Sequence, residues 1–405
     1  MPKVSRRTLF ACLLLVSWGF APHAAVQKPS TSPVVIPFEL VTHHILIKGT
    51  VNGSRPLSFV FDTGANQALV RMDVAKELNL ALEGEVHVGG AGGGTQSGSQ
   101  VRRANWSPVG LERVSQPVRF ALPLPELPTA MGRDVDGIIG GEFIQQFVIV
   151  VDYQAHTLTL HDPKTYRYTG AGHTLPLDFT SDNHPIVTAS VTPVGAQPIE
   201  RRFMLDLGAG GALALHSPFV AEQHLPSPGT KTVRLIGAAG AGGRILGQVG
   251  RVEALDLGSF TLKNVLTIFS EDRAGAFANR ELAGNIGAQV ADRFRVVLDY
   301  SHKRVILEPS STFGDPYDRA FSGVALRAEG PGYHTFRVRE ILEQSPATDA
   351  DIREGDVITA VNGTPASDLM LSAIVAMFEK PAAYTLTIQR GSETVTTVLT
   401  PRRMV

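Results

Sequence analysis

Cysteine is almost absent from this chain, because Cys12 is the single one among 405 residues. It lies in an apolar N-terminal stretch, so the rest of the chain can form no disulfide, thiolate metal site or cysteine nucleophile. Charge is also scarce, with 19% charged residues, a net charge of −1 and no basic run. Nucleic acid and anionic membrane surfaces require a positive field on their partner, so we expect neither to bind.

The histidines do not show the sequence spacing of metal ligands either. His43, His44, His161 and His216 are scattered, and no His-Glu-x-x-His pattern occurs. The Gly-x-Ser-x-Gly setting of a serine nucleophile is absent too. We expect these histidines to be structural or exposed, and we expect neither a metal nor a cofactor.

Long apolar runs are confined to the N-terminus. Residues 1–25 contain Lys3, Arg6 and Arg7, then an apolar run over residues 9–20, then small residues, which is the pattern of a signal peptide. No later run approaches the roughly 20 apolar residues of a membrane-spanning helix. The sequence therefore predicts an exported protein, periplasmic or secreted, that has no membrane segment once residues 1–25 are removed.

Turn-forming residues are abundant, with 40 glycines and 26 prolines. They separate short apolar segments, and this pattern is typical of a mainly β protein with few helices. One helix is expected at residues 70–80. A hydrophobic content of 43% in 405 residues is enough for two or three cores.

An apolar strand ends abruptly in Asp62-Thr63-Gly64, and a second ends in Asp206-Leu207-Gly208, with the two aspartates 144 positions apart. The surrounding features also occur twice. Each aspartate follows a hairpin and precedes a glycine cluster, at residues 89–98 and 237–247. The triplets Ile138-Ile139-Gly140 and Asn285-Ile286-Gly287 are 147 positions apart, and each precedes an aspartate by twelve residues. Neighbouring motifs at a nearly constant offset indicate a duplicated domain.

Paired aspartates suit one kind of chemistry in particular. Amide hydrolysis without a metal or a covalent nucleophile needs one group to activate water and another to protonate the amide. Two carboxyl groups that share one proton supply both, since two like charges about 3 Å apart cannot both ionise. Asp62 and Asp206 are therefore the candidate catalytic residues, and the reaction needs no cofactor.

The duplicated halves, the Asp-Thr-Gly triplet and the Ile-Ile-Gly triplet resemble those of retropepsin-like and pepsin-like aspartic proteases. The resemblance implies two tandem β lobes, residues 30–165 and 170–310, related by a pseudo-two-fold axis. It also implies that Asp62 and Asp206 form the catalytic pair of an endopeptidase that acts on polypeptides. The implied supporting residues are Thr63, Gly64 and Gly208, and the implied flap over the substrate includes Gly92, Gly93 and Gly94.

Leu207 departs from the family pattern, in which threonine or serine usually occupies this place. Leucine offers no side-chain hydrogen bond across the lobes, so half of that network is expected to be missing or replaced. Two alternatives follow from this departure. Two chains could pair Asp62 with Asp62, or the cleft could be inactive and serve as a peptide-binding scaffold.

The repeat stops near residues 308–316, where prolines and small polar residues indicate a domain boundary. Beyond it, residues 345–363 run from Ser-Pro-Ala through Gly-Asp-Val-Ile to Val-Asn-Gly and resemble a PDZ domain, which we place at residues 318–403. The resemblance implies that a peptide C-terminus or an internal peptide binds beside a glycine-containing loop. The residues expected to form that loop are Gly323, Val324, Ala325 and Leu326.

Overall fold

The computed structural model describes residues 33–317 and 319–405. The predicted signal peptide, residues 1–25, lies outside these ranges. The described chain is mainly β, as predicted, and forms two lobes followed by a small C-terminal domain. None of the described helices is long and apolar enough to cross a bilayer.

The first lobe has an aromatic centre. Trp106 packs edge-on against Phe59 and Phe143, with ring centroids 5.8 and 5.3 Å apart. A Cβ atom at Gly49 would lie 2.0 Å from the indole nitrogen, so only glycine fits beside this ring. The helices are Met72–Glu77, Glu126–Met131 and Gly141–Ile144. The strands are Val34–Val41, His44–Val51, Leu57–Phe61, Ala68–Arg71, Ala81–Gly89, Thr95–Arg102, Asn105–Pro108, Gln116–Leu122, Gly137–Ile139, Val148–Asp152 and Thr157–His161.

The second lobe repeats this architecture around its own buried apolar residues, such as Phe203 and Leu255. Its helices are Ser217–Glu222 and Ala288–Ala291, with 3-10 turns at Ala276–Ala278 and Tyr300–His302. The strands are His173–Pro176, Asp178–Phe179, Pro185–Thr192, Ile199–Asp206, Leu213–Leu215, Val233–Arg234, Ala239–Gly240, Gly243–Arg244, Gly247–Leu257, Phe260–Ser270, Gly284–Gly287, Phe294–Asp299 and Arg304–Pro309.

In both lobes the strand that leads to the aspartate runs parallel to a later strand. Leu57–Phe61 pairs with Gly137–Ile139, and Ile199–Asp206 pairs with Gly284–Gly287. The later strand is flanked by an antiparallel strand in each lobe, Ala68–Arg71 in the first and Leu213–Leu215 in the second. The duplicated sequence pattern therefore folds into the same unusual strand arrangement twice.

The lobes are joined by antiparallel pairing of Val148–Asp152 with Phe294–Asp299. In this pairing Val150 faces Val297, its own counterpart in the sequence repeat. Equivalent residues can face each other in this way only at a two-fold axis, so the predicted pseudo-two-fold relation is confirmed.

The C-terminal domain is a strand-rich unit with its own core, which includes Phe336, Ile374 and Leu386. Val324–Glu329 lies at one edge of its sheet, with Thr335–Ile341 as its partner. The other strands are Val357–Val361, Thr364–Pro365, Tyr384–Arg390 and Glu393–Leu399. The helices are Pro346–Asp349 and Leu371–Phe378, with 3-10 turns at Pro331–Tyr333 and Ala366–Asp368.

The helix predicted at residues 70–80 is shorter than expected. Residues up to Arg71 remain in the strand Ala68–Arg71 because they pair with the parallel strand Gln116–Leu122. The helix begins at Met72 and ends at Glu77. Tertiary strand pairing thus overrides the helical periodicity at the start of this segment.

Candidate active site

Asp62 and Asp206 meet where the two lobes contact each other. A Cβ atom at Gly64 would lie 2.6 Å from Oδ1 of Asp206, and one at Gly208 would lie 2.1 Å from Oδ1 of Asp62. Each carboxyl group therefore rests against the glycine of the opposite triplet, where any side chain would displace it. The two carboxyl groups are also close enough for the negative charge of Asp206 to raise the pKa of Asp62. The structure thus brings together Asp62, Gly64, Asp206 and Gly208 as one cluster.

The two aspartates receive different sets of hydrogen bonds. The N–H of Gly64 donates to Oδ1 of Asp62 at 2.7 Å. Asp206 accepts from the N–H groups of Gly208 and Ala209 at 3.1 Å each, and its Oδ2 also accepts from Nδ2 of Asn285 at 2.7 Å. Donors stabilise an ionised carboxyl group, so Asp206 is the better site for the negative charge.

Both carboxyl groups hold protons more tightly than ordinary ones. Burial, followed by the negative charge of Asp206, raises the pKa of Asp62. Burial also raises the pKa of Asp206, although the donors from Asn285, Gly208 and Ala209 oppose the rise. A pair of this kind loses its two protons in separate steps, so a singly protonated form exists over a wide pH range.

Thr63 connects the lobes directly beneath the aspartates. Its buried hydroxyl donates to the carbonyl of Leu205 at 2.6 Å and accepts from the N–H of Leu207 at 2.8 Å. The Leu207 side chain is fully buried in the main hydrophobic core. The side-chain hydrogen bonds across the lobes described here therefore come from Thr63, as expected from the leucine at position 207. Leu207 contributes its backbone N–H and its apolar packing.

Family comparisons agree with this geometry. Residues 47–143, which include Asp62, match the family model of aspartyl proteases. Residues 313–389 match the PDZ domain. Both resemblances drawn from the sequence are therefore confirmed, and the C-terminal domain is called the PDZ domain below.

The chain is also similar to several solved structures. An aspartic proteinase from Irpex lacteus is 15% identical, over 70% of this chain and 99% of its own, with a TM-score of 0.44. Basic 7S globulin from soybean is 12% identical, over 71% and 98%, with a TM-score of 0.38. The photosystem II D1 C-terminal processing protease is 22% identical, over 22% and 24%, with a TM-score of 0.20. No curated protein sequence gives a significant match.

The first glycine cluster forms the tip of a hairpin, which we call the flap hairpin, between strands Ala81–Gly89 and Thr95–Arg102. Its tip includes Gly92, Gly93 and Gly94, the residues predicted for the flap. The N–H of Gly94 donates to the carbonyl of Gly242 in the second cluster at 2.8 Å, and the N–H of Gly242 donates back to Ala91 at 2.8 Å. The two glycine clusters thus hold each other across the lobes through backbone hydrogen bonds.

The residues predicted to bind peptide in the PDZ domain lie against the protease lobes. A Cβ atom at Gly237 of the second glycine cluster would be 2.8 Å from Cβ of Ala325. Next to it, buried Glu340 accepts from Nη1 of Arg234 at 2.6 Å, from the N–H of Gly237 at 3.1 Å, and from Arg244. The strand containing Val324, Ala325 and Leu326 is therefore tied to the same segment that holds the flap hairpin.

Two buried residues next to the aspartates were not predicted as functional. The sequence pattern assigns Asn285 only to the duplicated triplet, and it predicts that His216 is structural or exposed. Oδ1 of Asn285 is 2.9 Å from Nε2 of His216, which is 1% exposed. One sequence signal could have identified Asn285, because it places an amide where the first copy of the repeat has Ile138.

The Thr63 hydroxyl provides a test of the lobe junction. Replacing it in Thr63→Val leaves the buried carbonyl of Leu205 and N–H of Leu207 without partners, which should lower the free energy of unfolding by about 2–5 kcal/mol. Urea denaturation followed by circular dichroism measures the change. The Thr63→Ser control keeps the hydroxyl and should stay within about 1 kcal/mol of the wild type. Equal stability of the valine and serine variants would contradict this role of Thr63.

Proposed function

We propose that this chain is an aspartic endopeptidase that hydrolyses peptide bonds with a water molecule activated between Asp62 and Asp206. One observation carries the proposal, which is that two carboxyl groups from separate lobes lie together, each against the glycine of the opposite triplet. The match of residues 47–143 to aspartyl proteases supports the same chemistry.

The reaction follows from the unequal surroundings of the pair. Asp206 accepts the larger number of donors and starts as the carboxylate, while Asp62 holds the shared proton. Asp206 takes a proton from water as the water oxygen attacks the peptide carbonyl carbon, and Asp62 gives its proton to the carbonyl oxygen. Asp206 then gives its proton to the amide nitrogen while the ionised Asp62 takes a proton back from one hydroxyl of the resulting diol, and the C–N bond breaks. Both products leave, and the pair again holds one proton.

The two alternatives differ in where the second carboxyl group comes from. A dimer that pairs Asp62 with Asp62 would need room for another chain, but Asp206 of the same chain occupies that position against Gly64. A peptide-binding scaffold would need no proton shared by the two aspartates. We therefore favour catalysis within one chain, and the substitutions below distinguish all three.

Asparagine substitution separates these functions. Asp62→Asn and Asp206→Asn should each abolish cleavage of an unfolded polypeptide such as casein, because the pair then lacks its acid or its base. The wild type should show a bell-shaped pH profile, and the raised pKa values of the pair place its limbs above those of ordinary carboxyl groups. Full activity of Asp206→Asn in a dimer would favour the Asp62 pair, and no wild-type cleavage between pH 3 and 8 would favour the scaffold.

The melting temperature of Asp62→Asn shows whether this variant is still folded. Folding raises the pKa of Asp62, so this carboxyl group contributes stability below the unfolded pKa of about 4 and loses that contribution as the pH rises. Asp62→Asn should therefore melt at a higher temperature than the wild type at pH 7, and the difference should shrink towards pH 4. A lower melting temperature at pH 7 would mean that lost activity reflects lost structure.

We propose that the two glycine clusters cover the aspartates and must separate before polypeptide can bind. In the structure the flap hairpin is closed onto the second lobe by the hydrogen bonds between Gly94, Gly242 and Ala91. The N–H of Ala276 also donates to the carbonyl of Gly90 at 2.9 Å. We therefore propose that the flap hairpin opens for each substrate, which its glycines permit.

A disulfide across this contact tests the opening. A Cβ atom at Gly90 would lie 2.7 Å from Cβ of Ala241, and a small shift of the loop provides the usual disulfide spacing of about 3.8 Å. In a Cys12→Ser background, oxidised Gly90→Cys/Ala241→Cys should lose at least about 90% of casein turnover and regain it on reduction. The single cysteine variants are the controls. Equal turnover before and after reduction of a fully crosslinked sample would contradict flap opening.

We also propose that the PDZ domain binds polypeptide at the edge strand Val324–Glu329, in competition with the first lobe. PDZ ligands add to such an edge strand. Here the first-lobe helix Glu126–Met131 packs against that strand, and Gly132 lies against Ala328 and Leu371. A Cβ atom at Gly132 would be 2.5 Å from Cβ of Leu371 and 3.5 Å from Cβ of Ala328.

Polar contacts hold this helix in the groove. Oε2 of Glu126 is 3.0 Å from Nη1 of Arg339, and the hydroxyl of Tyr333 donates to Oδ1 of Asp134 at 3.1 Å. A ligand must break or bypass these contacts, so peptide binding and docking on the first lobe exclude each other. Binding of polypeptide to the PDZ domain would then release the helix Glu126–Met131 of the first lobe.

Weakening the contact should increase peptide binding. Glu126→Arg/Tyr333→Phe places two arginines together and removes the bond to Asp134, so we expect at least about fivefold tighter binding of a fluorescent octapeptide pool with free C-termini, measured by anisotropy. The same peptide pool with amidated C-termini shows whether binding requires the C-terminal carboxylate. Adding Arg339→Glu restores an ion pair and should bring the affinity back towards the wild-type value. Identical affinities in all three proteins would refute the competition.

Export is the remaining part of the proposed function. Its support is the charged, apolar and small-residue pattern of residues 1–25 and the absence of cysteine after Cys12. A periplasmic or secreted location suits a protease whose substrates are unfolded or extended polypeptides.

A further inference from the structure

Asn285 breaks the symmetry of the two aspartates. Its Nδ2 donates to Oδ2 of Asp206 at 2.7 Å, while its counterpart in the first lobe is the apolar Ile138. Its Oδ1 is 2.9 Å from Nε2 of His216. Asn285 is 5% exposed and His216 is 1% exposed, so neither hydrogen bond competes with bulk water.

We infer that Asn285, oriented by His216, is a positioning residue that keeps the negative charge on Asp206 and leaves the shared proton on Asp62. This inference rests on the proposed function and deepens it, because it assigns the base to one aspartate and the acid to the other. In a symmetric pair either carboxyl group could take either role.

The direction of the hydrogen bonds follows from the chemistry of the groups. A carboxylate accepts, so the amide must turn its NH2 group towards Asp206 and its oxygen towards His216. His216 must then donate from Nε2. Burial lowers the pKa of His216, which keeps the ring neutral with this proton in place. The ring also stacks on Phe277 at 5.4 Å, so its orientation is set by packing.

Fold maintenance alone does not require this pair. The first lobe pairs Val60 with Ile138 in the same parallel register in which the second lobe pairs Met204 with Asn285. The strand arrangement therefore forms with an apolar residue at this position. A buried amide bonded to a buried imidazole adds polar groups that must be desolvated, which points to a role beyond strand pairing.

Other titratable groups face the two aspartates and must be considered in any pH profile. Burial lowers the pKa of His184, and the negative charges of Asp182 and Asp206 oppose this shift. Burial, followed by the negative charge of Asp62, raises the pKa of the Tyr300 hydroxyl. Both groups remain in every variant below, so differences between variants report on Asn285 and His216.

The test uses two matched pairs of variants in the full chain. Asn285→Leu removes the donor at nearly constant volume, and Ile138→Leu is its control in the other lobe. His216→Leu removes the group that orients the amide, whereas His216→Gln can still donate to it. Two measurements are made on each protein, the pH dependence of casein cleavage and the carbon-13 titration of labelled aspartate carboxyl groups, with Asp206 assigned from Asp206→Asn.

Loss of the donor makes Asp206 easier to protonate. Asn285→Leu should therefore move the acidic limb of kcat/KM to higher pH and lower kcat about ten- to a hundredfold, as expected for one hydrogen bond to a charged group. KM should change little. His216→Leu should shift the profile in the same direction by less, while His216→Gln and Ile138→Leu should match the wild type.

The two measurements separate failure of this inference from failure of the proposed function. Wild-type cleavage with superimposable profiles for Asn285→Leu and the wild type would overturn the inference alone. If the wild type cleaves nothing, the proposed function fails, but the carbon-13 titration still decides whether Asn285 lowers the pKa of Asp206. If Asn285→Leu does not fold, equal titrations in His216→Leu and His216→Gln would overturn the positioning role of the pair.

Discussion

Two carboxyl groups held against each other at the junction of the two lobes are the constraint on which the structure depends. Burial and mutual repulsion make the fully ionised pair costly, so the lobes must supply backbone donors and exclude every side chain that would separate them. Gly64 and Gly208 meet the second requirement, since each lies where a Cβ atom would strike the opposite carboxyl group. The lobes must also be held in a fixed position relative to each other. The Thr63 hydroxyl does this through its hydrogen bonds to the backbone of Leu205 and Leu207.

The same junction connects to parts of the molecule far from the aspartates. The flap hairpin is held by the second glycine cluster through Gly94 and Gly242, and that cluster is held in turn by Glu340 of the PDZ domain. On the other side, the helix Glu126–Met131 packs against the edge strand of the PDZ domain and leads into the strand Gly137–Ile139, which pairs beside Asp62. The PDZ domain therefore contacts both lobes, and under the proposed function these two contacts are the routes by which bound polypeptide acts on the aspartates.

Much of this arrangement could be predicted because short, contiguous sequence motifs specify it and the same motifs occur in both lobes. An apolar strand ending in Asp-Thr-Gly, and its Asp-Leu-Gly copy, indicated the pair, the lobes and the missing half of the threonine network. The role of Asn285 could not be derived, since its bond to Asp206 exists only after Gly284–Gly287 pairs with Ile199–Asp206. The contact of the PDZ domain with the second lobe could not be predicted either, because Glu340 forms ion pairs with Arg234 and Arg244, which are distant from it in the sequence. The start of the first helix was misplaced because strand pairing decided it.

Neutron diffraction from a crystal grown near neutral pD is the most direct test of the shared proton. We predict a single deuterium between the two carboxyl groups, bonded to Asp62 and hydrogen-bonded to Asp206, with deuterium on Nδ2 of Asn285 directed at Asp206. Carboxyl groups that point apart, or a pair with no deuterium between them, would contradict it.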